Sequence, residues 1–286
     1  MNKVLKVLKD INELIMFKHS IFALPFIFIA MITAADGWFG WRLLFLGVAA
    51  AVTARNFAMA FNRYADRDID AKNPRTKNRP SVDGRIKEKQ LLYFIVLNAV
   101  LFIFTAYLIN DLAFYLSVPI LIVLGGYSLF KRFSQTAHLV LGLSLGLAPI
   151  AGVVAVKEEI TLWSIFLSIG VMFWVAGFDL LYSLQDIEFD KKEGLFSIPS
   201  IYGEKCSLFI AKLFHSLTIL FWFFFVYLSK GGFFLYLTVI ISAIILYKEH
   251  KIVEKDFSKI DRAFFTLNGY LGIVFLIFTI LDKAVK

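Results

Sequence analysis

Long apolar stretches alternate with short polar ones along the whole chain. Nine stretches are long and apolar enough to cross a bilayer: residues 19–38, 41–64, 90–109, 112–130, 137–156, 161–185, 206–228, 232–247 and 263–281. A crossing helix needs roughly 20 residues. Backbone N–H and C=O groups find no water inside hydrocarbon, so these stretches are predicted to be helices. The alternating pattern of a membrane β-barrel is missing. The first eighteen residues follow another rule. Val4, Leu5, Leu8, Ile11, Leu14 and Ile15 recur at helical spacing, with Lys3, Lys6, Lys9 and Asp10 between them. That predicts an amphipathic helix over 1–18 lying at the membrane interface. It lacks the uncharged core and cleavage site of a secretory signal. The expectation is an all-α integral membrane protein, one domain over 1–286.

The polar connections alternate in charge. The N-terminus and residues 65–89, 131–132, 186–205 and 248–262 are rich in Lys and Arg. The intervening connections, around 37–40, 110–111, 157–159 and 230–231, carry almost no net positive charge. By the positive-inside rule the first set is cytoplasmic. Nine crossings then put the N-terminus inside and the C-terminus outside, in the inner (cytoplasmic) membrane of the cell. Composition agrees: 59% of the 286 residues are hydrophobic, above the usual share for soluble domains. The net charge of +8 sits in the connections, where orientation and anionic ligands explain it better than nucleic acid does. The single cysteine, Cys206, excludes an internal disulfide and a cysteine metal cluster. His19, His138, His215 and His250 have no metal-binding spacing, and no nucleotide-binding loop or nucleophile elbow is present. Gly125, Gly126, Gly142 and Gly146 are expected at close helix contacts. Ser144, on the same stretch as the last two, is a candidate to line a cavity.

Two connections are long and crowded with charge. In the first, Asn62, Asp66 and Asp70 are spaced by four and share one face of a helix continuing the second crossing. Asp68 lies off that face. In the second, Asp179, Tyr182, Asp186 and Asp190 step by three, four and four along one stripe, with Glu188 off it. Asp179 falls inside an apolar stretch, where an ionisable group is costly and marks function. One acidic pair at a helix end is ordinarily a solvated end. Two such repeats, each closing a long crossing beside a basic run, are better read as a site. Carboxylates crowded on one face repel each other unless a cation sits between them, and Mg²⁺ takes such oxygen ligands while keeping positions open for phosphate. Among the nearby cations, Arg75 and Lys131 are singled out for phosphate, with Lys18 as a further candidate. The others serve membrane orientation. Metal-binding acids beside phosphate-binding cations, at the mouth of an apolar bundle, suit a diphosphate head on a hydrocarbon tail.

These residues carry a family resemblance. Asn62-x-x-x-Asp66-x-x-x-Asp70 with the Arg-Thr-Lys-Asn-Arg-Pro that follows, and Asp179-x-x-Tyr182-x-x-Gln185-Asp186-x-x-x-Asp190, resemble the paired aspartate-rich motifs of the UbiA superfamily. The nearest pattern is that of the 4-hydroxybenzoate polyprenyltransferases and their menaquinone-pathway relatives. The likeness extends to Lys18-His19-Ser20 leading into Pro25, to Tyr127-Ser-Leu-Phe-Lys131-Arg132, and to the run from Gly142 to Pro149. It covers nearly the whole chain. Arg63 stands where many members carry Asp. The resemblance implies nine helices around a central cavity, capped by the motifs on the cytoplasmic side. It implies Mg²⁺ held by Asn62, Asp66, Asp70, Asp186 and Asp190, and a diphosphate held by Arg75 and Lys131.

The implied activity is Mg²⁺-dependent transfer of a polyprenyl group from its diphosphate to an aromatic acid in quinone biosynthesis. The acceptor is 4-hydroxybenzoate or an intermediate of a menaquinone route. Asp179, Tyr182 and Tyr127 are candidates to meet the acceptor or to shield the allylic cation with an aromatic face; ordinary packing is the competing role for the two tyrosines. A transporter is the rival class, since intramembrane acids also mark ion pathways. Such a protein more often shows two pseudo-symmetric halves and helices broken at mid-membrane. The expected partners are the two substrates and membrane lipid, with no nucleic acid and no obligate protein partner.

Overall fold

Helices form where the apolar stretches lie. The computed structural model describes residues 3–16, 24–255, 260 and 266–285, and these are helical with no strand among them. Eight helices are long and apolar enough to cross a membrane. They are α3 (Trp41–Ala65), α5 (Glu88–Ile109), α6 (Asp111–Phe130), α7 (Ala137–Lys157), α8 (Leu162–Ser183, continued through a turn to Glu193), α10 (Ile198–Leu228), α11 (Phe233–Lys255) and α12 (Asn268–Val285). Four shorter helices complete the described chain: α1 (Lys3–Ile15), apolar α2 (Leu24–Ala35), α4 (Arg67–Lys72) and α9 (Ile187–Glu193). The protein is an integral membrane protein by the length and composition of these helices.

The outer face is the one a lipid solvent requires. Tyr93, Val96, Val100, Phe104 and Tyr107 make an exposed stripe along α5, while Leu91, Ile95 and Phe102 of the same helix point inward. Water would penalise that stripe, and acyl chains do not. Inside, α8 is the central helix, packed between α7 and α10. Gly142 and Gly146 allow the first contact: a Cβ at Gly142 would fall 2.3 Å from the Met172 carbonyl oxygen, and one at Gly146 2.8 Å from that of Ser168. The other expected glycine pair differs. Gly125 has only ordinary contacts with Phe57 and Phe61, and Gly126 meets nothing within 4 Å, so this pair does not mark a close crossing.

An aromatic knot joins α2, α8, α10 and α12, with the Phe26 ring centroid 5.1 Å from Trp174 and 5.5 Å from Trp222. Beside it runs a buried polar chain. Trp174 Nε1 donates to Asn268 Oδ1 (2.7 Å), Asn268 Nδ2 donates to Glu249 Oε1 (2.7 Å), and His215 and His250 meet at 3.0 Å. Sequence spacing gave no sign that these two histidines, 35 residues apart, are neighbours.

Two details correct the predicted boundaries. α10 begins at Ile198 but breaks at Gly203, whose φ of 78° is open to glycine, so the apolar crossing starts just after it, near the expected residue 206. α11 is 23 residues long rather than ending at 247. Asp282 caps its start, accepting from the N–H groups of Gly232 (2.9 Å) and Leu235 (3.3 Å). α1 covers Lys3–Ile15, and its end packs into the bundle. Leu14 and Ile15 are buried in a cluster with Phe57, Leu91 and Ile95.

Candidate active site

The first acidic motif keeps its shared face across a break in the helix. α3 ends at Ala65 and α4 starts at Arg67, yet helical hydrogen bonds cross the joint: Asp66 N–H to Asn62 C=O (2.9 Å) and Asp70 N–H to Asp66 C=O (2.7 Å). The second motif is not one continuous helix. Leu184–Asp186 tightens into a 3₁₀ turn between α8 and α9. Even so, Asp179, Tyr182, Asp186 and Asp190 all line the same cavity as Asn62, Asp66 and Asp70.

That cavity has a volume of about 680 Å³, within the usual range for small-molecule sites of roughly 300–1,000 Å³. Its mouth is charged. Lys131 Nζ lies 2.7 Å from Asp66 Oδ2, and Arg79 Nη1 lies 2.6 Å from Asp70 Oδ2. Arg75 donates to both oxygens of Asp186 and, through Nη1, to the Tyr182 hydroxyl (3.0 Å). Asn73 Nδ2 adds a bond to Asp186 Oδ1 (3.3 Å), while its own Oδ1 accepts from the Arg75 N–H in a tight turn. Asp190 accepts from the Ser197 hydroxyl (2.8 Å). The Phe196 N–H donates to the Lys131 carbonyl (2.8 Å), tying the second loop to the cation of the first motif. Deeper, the walls are apolar, with Ile27, Met31, Leu116, Leu141, Ala148 and Val154 among them. Tyr127 and Ser144 line the cavity as well.

Burial raises the Asp66 carboxyl above the ordinary carboxylate range, and the ammonium of Lys131 opposes that shift. The acids placed off the two stripes point away from the cavity. Asp68 pairs with Arg132 (2.7 Å), which holds its carboxyl below the usual range, and exposed Glu188 pairs with Lys191 (3.8 Å). Lys18 lies outside the described residues.

The donor set suits a hard divalent cation. It is all oxygen, and Asp66 Oδ1 is buried with no hydrogen-bond partner among the described residues. Within those residues no three acidic, His or Cys side chains converge tightly enough to hold an ion alone. A cation here would complete its shell with other oxygens, such as side-chain amides or water. The Asn62 side chain bridges the motif, donating to Asp66 Oδ2 (2.8 Å) and accepting from Arg63 (3.0 Å).

Sequence spacing alone gives no site role to four cavity-lining residues: Arg79, Arg55, Arg63 and His138. Arg79 was read only as an orientation charge. Arg55 has a buried Nε without a partner, and neither it nor buried Arg63 forms an ion pair among the described residues. His138 meets Asp179 at 2.7 Å. The intramembrane arginines were visible in the third helix as charges in an apolar stretch. The His138–Asp179 pair joins two helices and had no local signal.

The helical membrane bundle encloses one cavity with a charged rim and apolar walls. The family model of the UbiA prenyltransferase family matches residues 23–276, and the chain belongs to that family. The 4-hydroxybenzoate octaprenyltransferase of Herminiimonas arsenicoxydans is 30% identical over 174 residues; the match spans 61% of each chain, so about three-fifths of that relative's length. The 4-hydroxybenzoate octaprenyltransferase of Vibrio parahaemolyticus is 28% identical over 87% of each chain. The apo structure of a UbiA homolog from Aeropyrum pernix K1 superposes with a TM-score of 0.83 at 29% identity, covering 92% of this chain and 98% of that one. A UbiA homolog from Archaeoglobus fulgidus, bound to GPP and Mg²⁺, has a TM-score of 0.78 at 20% identity over 96% and 99% of the two chains, a likeness of fold.

Proposed function

We propose that this protein transfers a polyprenyl group from its diphosphate to an aromatic acid of the 4-hydroxybenzoate kind, in quinone biosynthesis. The observation that carries this reading is the gradient along one cavity, from ion-paired carboxylates and cations at the mouth to apolar walls within. In this reading Lys131, Arg75 and Arg79 receive the diphosphate. Asn62, Asp66 and Asp70 on one side, and Asp186 and Asp190 on the other, hold Mg²⁺. Bound there, Mg²⁺ supplies Lewis acidity toward the departing diphosphate. The chain's cations neutralise the same charge and fix the head at the mouth. The apolar walls take the tail and exclude water that would capture an allylic cation. Tyr127 and Tyr182 line the cavity and offer aromatic faces to that cation. The Arg55 guanidinium, with its unpartnered Nε, supports an acceptor that carries a carboxylate.

The reading places 1–286 as one domain with nine crossings, residues 19–38 being the first. α2 supports this by packing beside α7 and α12 in the bundle. It places the charged mouth at the cytoplasmic face of the inner membrane, with α1 at the interface. Cysteine labelling should find residue 286 outside; labelling only from the cytoplasm refutes the nine-crossing count. The activity is tested with purified protein, geranyl diphosphate, Mg²⁺ and a panel of aromatic acids, including menaquinone-route intermediates, with products identified by mass. Prenylated product that disappears with EDTA is the expected result. No product from any acid overturns the reading.

A further inference from the structure

One pair inside the cavity has no part in holding the head group. His138 is the second residue of α7, and Asp179 lies one turn before the end of α8. The close α7–α8 approach at Gly142 and Gly146 brings them together. His138 Nδ1 and Asp179 Oδ2 are 2.7 Å apart, a charge-assisted distance. The imidazole is 4% exposed, and its Nε2 is buried with no hydrogen-bond partner among the described residues. Both residues line the cavity. A histidine kept only for packing ordinarily satisfies both ring nitrogens. An ionised carboxylate can only accept, so Nδ1–H donates to Asp179, which fixes the tautomer and leaves the Nε2 lone pair as a base.

We infer that His138 Nε2 takes the proton that the aromatic acceptor loses, with Asp179 as its positioning residue; the inference rests on the transferase reading above. The electron balance is closed by groups already named. The allylic C–O bond breaks, and its electron pair leaves with the diphosphate. A π pair of the ring forms the new C–C bond. The C–H pair at that carbon returns to the ring, and the proton passes to Nε2. The resulting imidazolium faces the Asp179 carboxylate, the arrangement by which a buried acid steadies a protonated histidine elsewhere.

The test compares wild type, His138→Gln, His138→Ala and Asp179→Asn with geranyl diphosphate, Mg²⁺ and 4-hydroxybenzoate. The acceptor is supplied unlabelled and deuterated at the ring positions that are prenylated. Wild type should show an isotope effect near unity. His138→Gln should lose about 100-fold or more in turnover, as loss of a general base does, with the KM for the diphosphate within about twofold. Proton loss should become rate-limiting in that variant, giving an isotope effect above about 2. Asp179→Asn should show the same signature at smaller amplitude. Added imidazole should restore part of the turnover of His138→Ala, which a purely structural role would not allow. Turnover of His138→Gln within about threefold of wild type overturns the inference, as does a loss without isotope effect or imidazole rescue. If His138→Gln fails to fold, Asp179→Asn carries the decision by its isotope effect. Wild type that makes no product from any aromatic acid fails one step earlier, removing the transferase reading and this inference with it.

Discussion

Arg75 and Asp186, 111 residues apart, meet fork to fork: Nε donates to Oδ1 at 3.1 Å and Nη2 to Oδ2 at 2.5 Å. This is the geometry that planar guanidinium and carboxylate groups favour. It joins the two acidic loops across the cavity mouth. Arg75→Lys keeps the charge and loses the fork. The KM for prenyl diphosphate should rise about tenfold in Arg75→Lys and about 100-fold in Arg75→Ala, consistent with bonds worth about 1.5–3 kcal/mol. Titrating the diphosphate at saturating acceptor measures both.

The acids on the two stripes should separate cleanly from those off them. Asp66→Asn and Asp186→Asn keep shape and remove charge where the head group departs. Each should lower turnover by about 10²–10³, the usual scale for such electrostatic groups. Asp68→Asn and Glu188→Gln, whose partners Arg132 and Lys191 lie outside the cavity lining, should stay within a few-fold of wild type. Turnover and melting temperature are to be measured on all four together. Near-normal rates for the first two would return those acids to the status of solvated helix ends.

Much of this was legible in the sequence because apolar length and four-residue spacing are local signals. The long helices fall where apolar runs fall, and the on-stripe and off-stripe acids separate as their spacing predicts. What was not legible depends on which helix lies against which. His138 carries no motif, and only the α7–α8 packing gives it Asp179 as a partner. Arg79 was indistinguishable from its basic neighbours until the loop folded back onto Asp70. Gly125 and Gly126 look like Gly142 and Gly146 on the page, yet only the latter pair faces a neighbouring backbone. The break at Gly203 and the 3₁₀ turn at Leu184–Asp186 leave no mark in the apolar pattern.

Gly142→Ala tests the α7–α8 contact. Its new methyl would sit 2.3 Å from a backbone oxygen, which cannot swing away as a side chain can. The overpacking should cost about 1–3 kcal/mol, and Gly126→Ala, in open space, should cost little. Thermal unfolding in detergent compares the two.

An acid-sensitive clasp holds α1. Arg85 donates to both oxygens of Glu13, at 2.7 and 2.8 Å, and also reaches Asp10 and Asp83. The Arg85 hydrogen bond lowers the Glu13 pKa. A depressed carboxyl stabilises the fold above its unfolded value, about 4.3, and that contribution is lost as pH falls through the folded value. Wild type should therefore melt above Glu13→Gln at pH 7, and the gap should narrow as the pH falls below the unfolded value. A gap that persisted at low pH would show the clasp to be uncharged packing.

Arg55 should govern the acceptor and leave the prenyl donor alone. Arg55→Met keeps much of the apolar stem and removes the charge. It should raise the KM for an aromatic acid about tenfold or more, the scale of a lost charged hydrogen bond, with the diphosphate KM unchanged. Steady-state kinetics varying each substrate in turn reads the difference.

The bond from the Phe196 N–H to the Lys131 carbonyl is a main-chain contact, so no side-chain substitution short of proline removes it. A change in the length or path of the loop after α9 moves Lys131, and with it the partner of Asp66. The two loops are thus mechanically coupled. A chimera that borrows only one of them from a relative should carry a mismatched mouth, whereas exchanging 62–89, 127–136 and 179–200 together should keep the partners matched.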